Sequence, residues 1–268
     1  MPDLGLLEKF LAGAQVDASV FGLRPDYRAM LLAVDGLVPG PGDQSSEALL
    51  LTAEARAREW LRDRPADELP NVAAWRDAYR AFGAKPQRTR NSLEALLRRA
   101  PAGLPRVNRL TDIYNAVSVL HQIPLGGEDL TRYVGPPRLL RATGDEVFDT
   151  AADGAPVVEH PDPGEVVWCD DAGVTCRRWN WRQGRRTQLR EGTSAALFIL
   201  DALDPVTDDA IQAAADDLAV RLAGLSPEVC VARRLIAAGR QNEQPCSGGP
   251  DTIADYAADD HDDAQAGI

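Results

Sequence analysis

Lysine is nearly absent from this sequence. Only Lys9 and Lys85 occur among 29 basic residues, so arginine carries almost all of the positive charge. Cysteine is scarce too. Cys169, Cys176, Cys230 and Cys246 show no C-x-x-C spacing, which argues against a disulfide framework or a zinc site. Three histidines are too few for most histidine-based metal centres, and neither a metal nor another cofactor is expected. No run of about eighteen apolar residues occurs, which excludes a membrane-spanning helix. The N-terminus, Met1-Pro-Asp-Leu-Gly-Leu-Leu-Glu-Lys9, lacks the basic start and long apolar stretch of a secretory signal. Gly126-Gly127 and Gly248-Gly249 do not meet the spacing of a phosphate-binding or dinucleotide-binding loop. There is no G-x-S-x-G elbow, and Ser92 and Ser118 have no evident histidine and acid to complete a triad, which disfavours a classical hydrolase. The expectation is a reduced, cytoplasmic protein with no membrane and no DNA partner.

The chain has 268 residues, of which 44% are apolar and 26% charged, enough for a sizeable core. Its net charge of −12 argues at first against a nucleic-acid partner, but the charge is unevenly spread. Residues 1–74 carry 7 basic and 12 acidic side chains, residues 75–200 carry 18 and 15, and residues 201–268 carry 4 and 14. The stretch 176–190 holds six arginines and no acid. A locally basic centre between acidic ends keeps an RNA partner open, although arginine bias alone also produces such a stretch.

Hydrophobic patterning predicts a strand over Ala29–Val34, closed by Asp35-Gly36 and the turn-rich Pro39–Asp43. Helices are predicted over 46–63, 72–81, from an N-capping Asn91 to Arg98-Arg99, and over 111–122. From 138 to 200 the pattern turns to strands: Leu139-Leu140, Val147-Phe148, Val157-Val158, Val166–Cys169, Val174–Trp181 and Ala195–Leu200. Asp170–Gly173 reads as a hairpin turn. A helix over 208–223 follows, then a short one with Ser226 as N-cap, Pro227 at its first position and Gly239 after its end. These elements give an α+β fold of mixed strands flanked by helices. The expected organisation is a single domain over 1–240. Its core is at about 75–203, with a strand and helix added at 20–65 and C-terminal helices at 207–238. The acidic tail 241–268 reads as lacking packed structure.

Two stretches could carry chemistry. In Cys176–Gly184, strand alternation places Cys176, Arg178 and Asn180 on one side and Arg177, Trp179 and Trp181 on the other. Either the indoles cover a core while the arginines are solvated, or Arg178 and Asn180 reach into a pocket, with Trp179, Trp181 and Arg182 suited to a single-stranded nucleic-acid end. In the helix 111–122, Ile113, Ala116, Val117 and Leu120 form an apolar stripe opposite Thr111, Asn115, Ser118 and Gln122. That polar stripe is either the wet face or a pocket lining. Asn and Ser are weaker helix formers than the charged residues usual on a wet face, which favours lining by Asn115 and Ser118, with Asp112 and Tyr114 at the edges. Pro124–Asp129 reads as a loop, either a simple helix-terminal turn or a close backbone approach to a ligand at Gly126 with Glu128 or Asp129 orienting a neighbour. His121 and His160 have no evident partners in sequence.

At these residues the chain resembles a known family. Ser92–Arg99, Val107–Ser118, Pro124–Asp129, Gly164–Asp170 and Arg178-Trp-Asn-Trp-Arg182 are similar, in order, to blocks of the B3/B4 domain of the phenylalanyl-tRNA synthetase β subunit, above all to free-standing B3/B4 proteins. The resemblance covers roughly 20–240. In the synthetase this domain is the editing module, which hydrolyses tyrosine wrongly attached to phenylalanine tRNA. The resemblance implies the same α+β fold, an aminoacyl-tRNA partner, and either removal of a mischarged amino acid in trans or a non-catalytic binding module. It implies no amino-acid activation.

The candidate catalytic residues are Asn115, Ser118, Arg178 and Asn180, the first two and Asn180 to hold water and Arg178 to stabilise an oxyanion or a phosphate. The candidate substrate-binding residues are Thr111, Asp112, Tyr114, Gly126, Glu128, Trp179, Trp181 and Arg182. Two departures stand out. The synthetase's Pro-Met-His-Ala-Phe-Asp block places its histidine where this chain has Gly126. Its glycine-rich Ala-Gly-x-x-Gly-Gly turn is replaced by Arg178-Trp-Asn-Trp181. Tyrosine specificity is therefore not expected to carry over.

Overall fold

The computed structural model describes residues 3–240 except Asp153, together with residues 246 and 247. In chain order, helix α1 (Leu4–Ala12), strand β1 (Gln15–Val16) and helix α2 (Ala18–Leu23) lead into β2 (Arg28–Asp35). Helices α3 (Gln44–Trp60), α4 (Pro70–Ala81), α5 (Ser92–Arg99) and α6 (Arg109–His121) follow. Next come β3 (Leu125–Asp129), β4 (Arg138–Arg141), β5 (Phe148–Ala152), β6 (Ala155–Glu159), β7 (Val166–Asp170), β8 (Gly173–Arg177), β9 (Arg182–Gln183) and β10 (Ala195–Ala202). Helix α7 (Asp208–Ala223), β11 (Cys230–Ala237) and β12 (Cys246–Ser247) complete the described chain. No helix among the described residues is long and apolar enough to cross a membrane.

The strands form two sheets, and together with the helices they make the expected α+β fold. One sheet is antiparallel throughout, in the order β12-β11-β2-β10-β3. The other is mixed, in the order β1-β4-β7-β8-β5-β6 with β9 beside β8; its β1/β4 and β5/β8 pairs are parallel. Strands β2 and β10 are continuous apolar runs because both faces of their sheet are covered. Met30, Leu32, Val34, Phe198 and Leu200 pack against helices α3, α6 and α7. Ala29, Leu31, Ala33, Leu197 and Ile199 face the second sheet, meeting Leu139, Val166 and Trp168, and also Trp75 and Tyr79 of α4.

Local chemistry sets the helix starts. Asp43 and Ser46 form a reciprocal capping box, so α3 begins two residues before the predicted 46. Asn91 caps α5 by accepting the Glu94 N–H at 2.8 Å, as its spacing predicts. Asn108 caps α6, which therefore starts ahead of 111.

Three expectations are corrected. The short helix expected at 226–239 is the strand β11: Ala232, Arg234 and Ile236 alternate inward, and pairing with β2 overrides the Ser-Pro start signal. The Pro124–Asp129 loop contains the strand β3, whose glycines lie against β10; a Cβ at Gly127 would meet Leu189 and Phe198 at 2.9 Å. The strand expected to run from Val174 to Trp181 stops at Arg177, because Arg178 and Trp179 take positive φ angles of 48° and 68°. Helices α1 and α2 have no counterpart among the elements predicted from the sequence. The expectation for the tail 241–268 falls, apart from residues 246 and 247, outside the described residues.

Candidate functional site

The two sheets part to leave a cavity of about 260 Å³. Register explains its inner wall. Glu128 pairs with Leu197 and Gly126 with Ile199, so Glu128, Gly126, Ile199 and Asp201 all present the face of the antiparallel sheet that looks toward the mixed one. Trp168 and Cys176, partners across β7 and β8, supply the opposite wall. Helix α5 contributes Ser92 and Leu96, and α6 contributes Tyr114 and Asn115.

The turn after β8 shapes the rest. Two consecutive non-glycine residues in the left-handed region cost on the order of 1–2 kcal/mol each, so they persist only where surroundings over-determine them. Here Glu165 accepts two bonds from the Arg177 guanidinium, at 2.9 and 2.7 Å, and the Arg178 N–H at 3.1 Å. The Arg178 guanidinium donates to Thr89 at 2.6 Å, and the Trp179 N–H donates to the Val166 carbonyl at 2.6 Å. The Trp179 ring is fully buried, edge-on to Tyr27 at 5.0 Å and to Trp75 at 5.3 Å. The expected alternation is thereby broken. Trp179, Asn180 and Trp181 all line the cavity, and Arg178 does not.

Two carboxylates meet the cavity. Asp201, at the end of β10, accepts the Tyr27 hydroxyl at 2.6 Å and the Asn180 amide at 3.3 Å. Burial pushes its pKa up to about 7 in spite of those donors, and the Glu128 charge adds to the rise. Glu128 accepts the Tyr133 hydroxyl, and burial pushes it up to about 7 as well. Asn180 is held at both ends, since its side-chain carbonyl oxygen accepts the Tyr79 hydroxyl at 3.0 Å and its backbone carbonyl accepts the Ser92 N–H at 3.0 Å. Asn115, only 7% exposed, makes no side-chain hydrogen bond among the described residues. The Cys176 thiol is raised well above its ordinary range by burial, which makes it a poor nucleophile.

The structure therefore brings together Tyr114, Asn115, Gly126, Glu128, Trp179, Asn180 and Trp181 from the residues singled out in the sequence. Five others lie elsewhere. The Ser118 hydroxyl donates to the Ile123 carbonyl at 2.7 Å and closes the end of α6. The Thr111 N–H donates to the capping Asn108 at 2.9 Å. Asp112 accepts the Val107 N–H at 2.8 Å and borders a separate hollow with Asp43 and Arg106. Arg178 and Arg182 stand beside the cavity, their guanidinium groups 4.7 and 4.8 Å from the centre of the Trp181 ring. The polar stripe of α6 is thus neither a wet face nor a continuous lining: the helix is buried from Leu110 to Val119, and of the stripe only Asn115 reaches the cavity. His121, without a partner in sequence, pairs with Asp217 at 2.9 Å, away from the cavity.

Residues 74–221 match the family model of the B3/4 domain, more than half of the chain. The chain belongs to the B3/4 domain family. No match is found among curated proteins. Among solved structures, this B3/4 chain is similar to the crystal structure of an N-terminal fragment of the phenylalanyl-tRNA synthetase β-subunit from Pyrococcus horikoshii. The identity is 11% and the TM-score 0.41, over 83% of this chain and 49% of that one. The chain thus spans about half the length of that fragment.

The B3/4 cavity also holds residues that sequence reasoning missed: Asp201, Ser92, Trp168, Cys176 and Gln183. Asp201 had a legible signal, an acid directly after the apolar run 195–200, where a buried charge needs a reason. Gln183 had none. Its amide donates to the Gly127 carbonyl at 2.8 Å and lies 3.0 Å from where a Cβ at Gly126 would sit. Gln183 therefore occupies the space beside Gly126 that a larger side chain there would need.

Proposed function

We propose that this B3/4 protein receives the aminoacylated 3′ end of a tRNA and hydrolyses the ester of a wrongly attached amino acid. Family membership supports the substrate class. The observation that carries the reading is the cavity, open on one side, that is lined by both the Asn115 amide, which has no side-chain partner among the described residues, and the fixed Asn180. At about 260 Å³ it is smaller than the usual range for larger organic ligands, which suits an amino-acid-sized group.

Outside the cavity, Arg178 and Arg182 stack on Trp181 and are held there by Glu165 and Glu159, a fixed planar surface on which a terminal base can stack and whose guanidinium groups a phosphate would share with those carboxylates. The loop before α5 exposes Lys85, Arg88 and Arg90 next to Ser92 of the cavity wall, and these extend the basic path. In the hydrolytic step, Asn115 orients water or the ester carbonyl, and the vicinal hydroxyl of the terminal ribose relays the proton, accepting it from the attacking water while passing its own to the departing ribose oxygen. The ester C–O bond breaks, releasing the amino acid and a free ribose hydroxyl. Selection follows from which side chains the cavity admits.

A second reading, a non-catalytic tRNA- or amino-acid-binding module, is favoured by Gly126 at the position of the synthetase histidine. Deacylation of a panel of correctly and incorrectly charged tRNAs by the purified protein separates the two. Selective hydrolysis of a mischarged species supports editing. Salt-sensitive tRNA binding without turnover supports the binding module.

A further inference from the structure

The cavity holds two acidic side chains without a basic partner on its wall. Glu128 and Asp201 are 2% and 3% exposed, and both line it. No lysine, arginine or histidine is among the lining residues. Arg186, whose charge reaches Glu128, is engaged by Asp170 through two hydrogen bonds at 2.8 and 2.6 Å.

Neutral donors are already supplied. Asp201 has the Tyr27 hydroxyl and the Asn180 amide, and Glu128 has the Tyr133 hydroxyl. Another hydroxyl on a ligand would add little, because what the two carboxylates lack is positive charge. Trp168, Trp179, Trp181 and Tyr114 line the same space, and aromatic rings attract cations through their electron-rich faces. An independent feature points to a ligand there. Asn115 is more than nine-tenths buried, lines the cavity and has no side-chain partner among the described residues, so its amide is free for a carbonyl or a water.

We propose that the cavity is a cation-binding site that takes an ammonium group of its ligand against Glu128 or Asp201, which share one face of the sheet with Asp201 four residues along β10 from the partner of Glu128. The inference rests on the proposed function only for the choice of an aminoacyl-type ligand. The ammonium belongs either to the α-position of that ligand or to the end of its side chain. Either cation favours the ionised carboxylates, which are otherwise held near neutrality, so binding releases protons and strengthens as pH rises toward about 7; above that a side-chain ammonium stays bound, whereas an α-ammonium weakens as it loses its own proton at about pH 8. The groups facing the pair are Tyr133, Thr175, Asp170 and Arg186 around Glu128, and Tyr27, Asn180 and Trp168 around Asp201. Tyr27, Tyr133 and Cys176 are all raised well above their ordinary ranges, which leaves the two carboxyls to titrate in this window.

The test is calorimetric binding to the full chain of four amides with one carbon skeleton: lysinamide, 6-aminohexanamide, norleucinamide and hexanamide. They carry both ammonium groups, only the terminal one, only the α one, and none. At least one single-ammonium probe is expected to bind tenfold or more tightly than hexanamide, and which one it is assigns the source. That advantage is expected to vanish in the Glu128→Gln/Asp201→Asn variant, and in Glu128→Gln alone to fall severalfold should the double variant not fold. Hexanamide binding as tightly as the amines overturns the proposal, as does failure of every ammonium probe to bind, or an ammonium preference that survives both substitutions. A protein that prefers ammonium probes yet deacylates no tRNA keeps this inference and loses the editing reading. One that deacylates without any ammonium preference does the reverse.

Discussion

The Tyr27 hydroxyl donates to the Asp201 carboxylate at 2.6 Å, joining residues 174 positions apart. Tyr27 lies ahead of the segment that matches the B3/4 family model, and Asp201 lies within it. The N-terminal segment is therefore part of the site as well as of the sheet: β2 is hydrogen-bonded between β10 and β11.

Removing that donor gives a direct prediction. Tyr27→Phe leaves a buried carboxylate short of one partner, which costs on the order of 1–3 kcal/mol of stability above neutral pH. The Tyr27 bond lowers the Asp201 pKa, so its loss moves the Asp201 midpoint above about 7. Carboxyl carbon chemical shifts followed through a pH titration, alongside urea unfolding, check both effects. An unmoved midpoint contradicts the assignment.

Stability should also depend on pH in a defined sense. Asp201 and Glu128 are raised from ordinary values of 3.8 and 4.5 to about 7, so between those limits the folded chain holds more protons than the unfolded one. Their contribution to stability therefore falls as pH rises from about 4 to 7 and is level above it. The difference in unfolding free energy between pH 5 and pH 8 should shrink by a few kcal/mol in Asp201→Asn, since each tenfold change in proton affinity corresponds to about 1.4 kcal/mol. An unchanged difference would show that Asp201 ionises normally.

Arg178 stands outside the cavity but over Trp181, so its substitution should affect tRNA binding more than turnover. Arg178→Ala is expected to raise KM about tenfold with kcat little changed, and to reduce the salt slope of tRNA binding by about one. Loss of kcat with KM unchanged would place its guanidinium at the reacting ester instead.

The paired glycines of β3 should respond differently. A Cβ at Gly127 meets Leu189 and Phe198 at 2.9 Å, both packed in the core, whereas at Gly126 it meets only the end of Gln183, at 3.0 Å. Gly127→Ala should cost about 1–3 kcal/mol and Gly126→Ala less, because the glutamine can shift. Equal losses in chemical denaturation would contradict the packing described for β3.

Much of this fold was legible in the sequence. The apolar run Ala29–Val34, the capping Asn91 and the Asp170–Gly173 turn each carry a local signal that agrees with the tertiary structure. Residues 226–239 were misread because Ser226 and Pro227 imitate a helix start, while the alternation of Ala232, Arg234 and Ile236 is decided by pairing with β2. The cavity was legible where its residues lie in one stretch, as with Trp179, Asn180 and Trp181. It was hidden where residues far apart in the chain meet, as with Asp201 and Tyr27, or Glu128 and Asp201 on one face of the sheet. Arg178 was misplaced because strand alternation assumes extended backbone, and two positive φ angles break it.

The central claim is that ester hydrolysis takes place in this cavity at Asn115. The most direct measurement is the single-turnover deacylation rate of the wild-type protein and of Asn115→Ala on the mischarged tRNA that the wild type hydrolyses fastest. The account predicts a loss of about 10²-fold in rate with tRNA affinity retained. Equal rates for the two proteins, or no hydrolysis of any mischarged tRNA by the wild type, would contradict it.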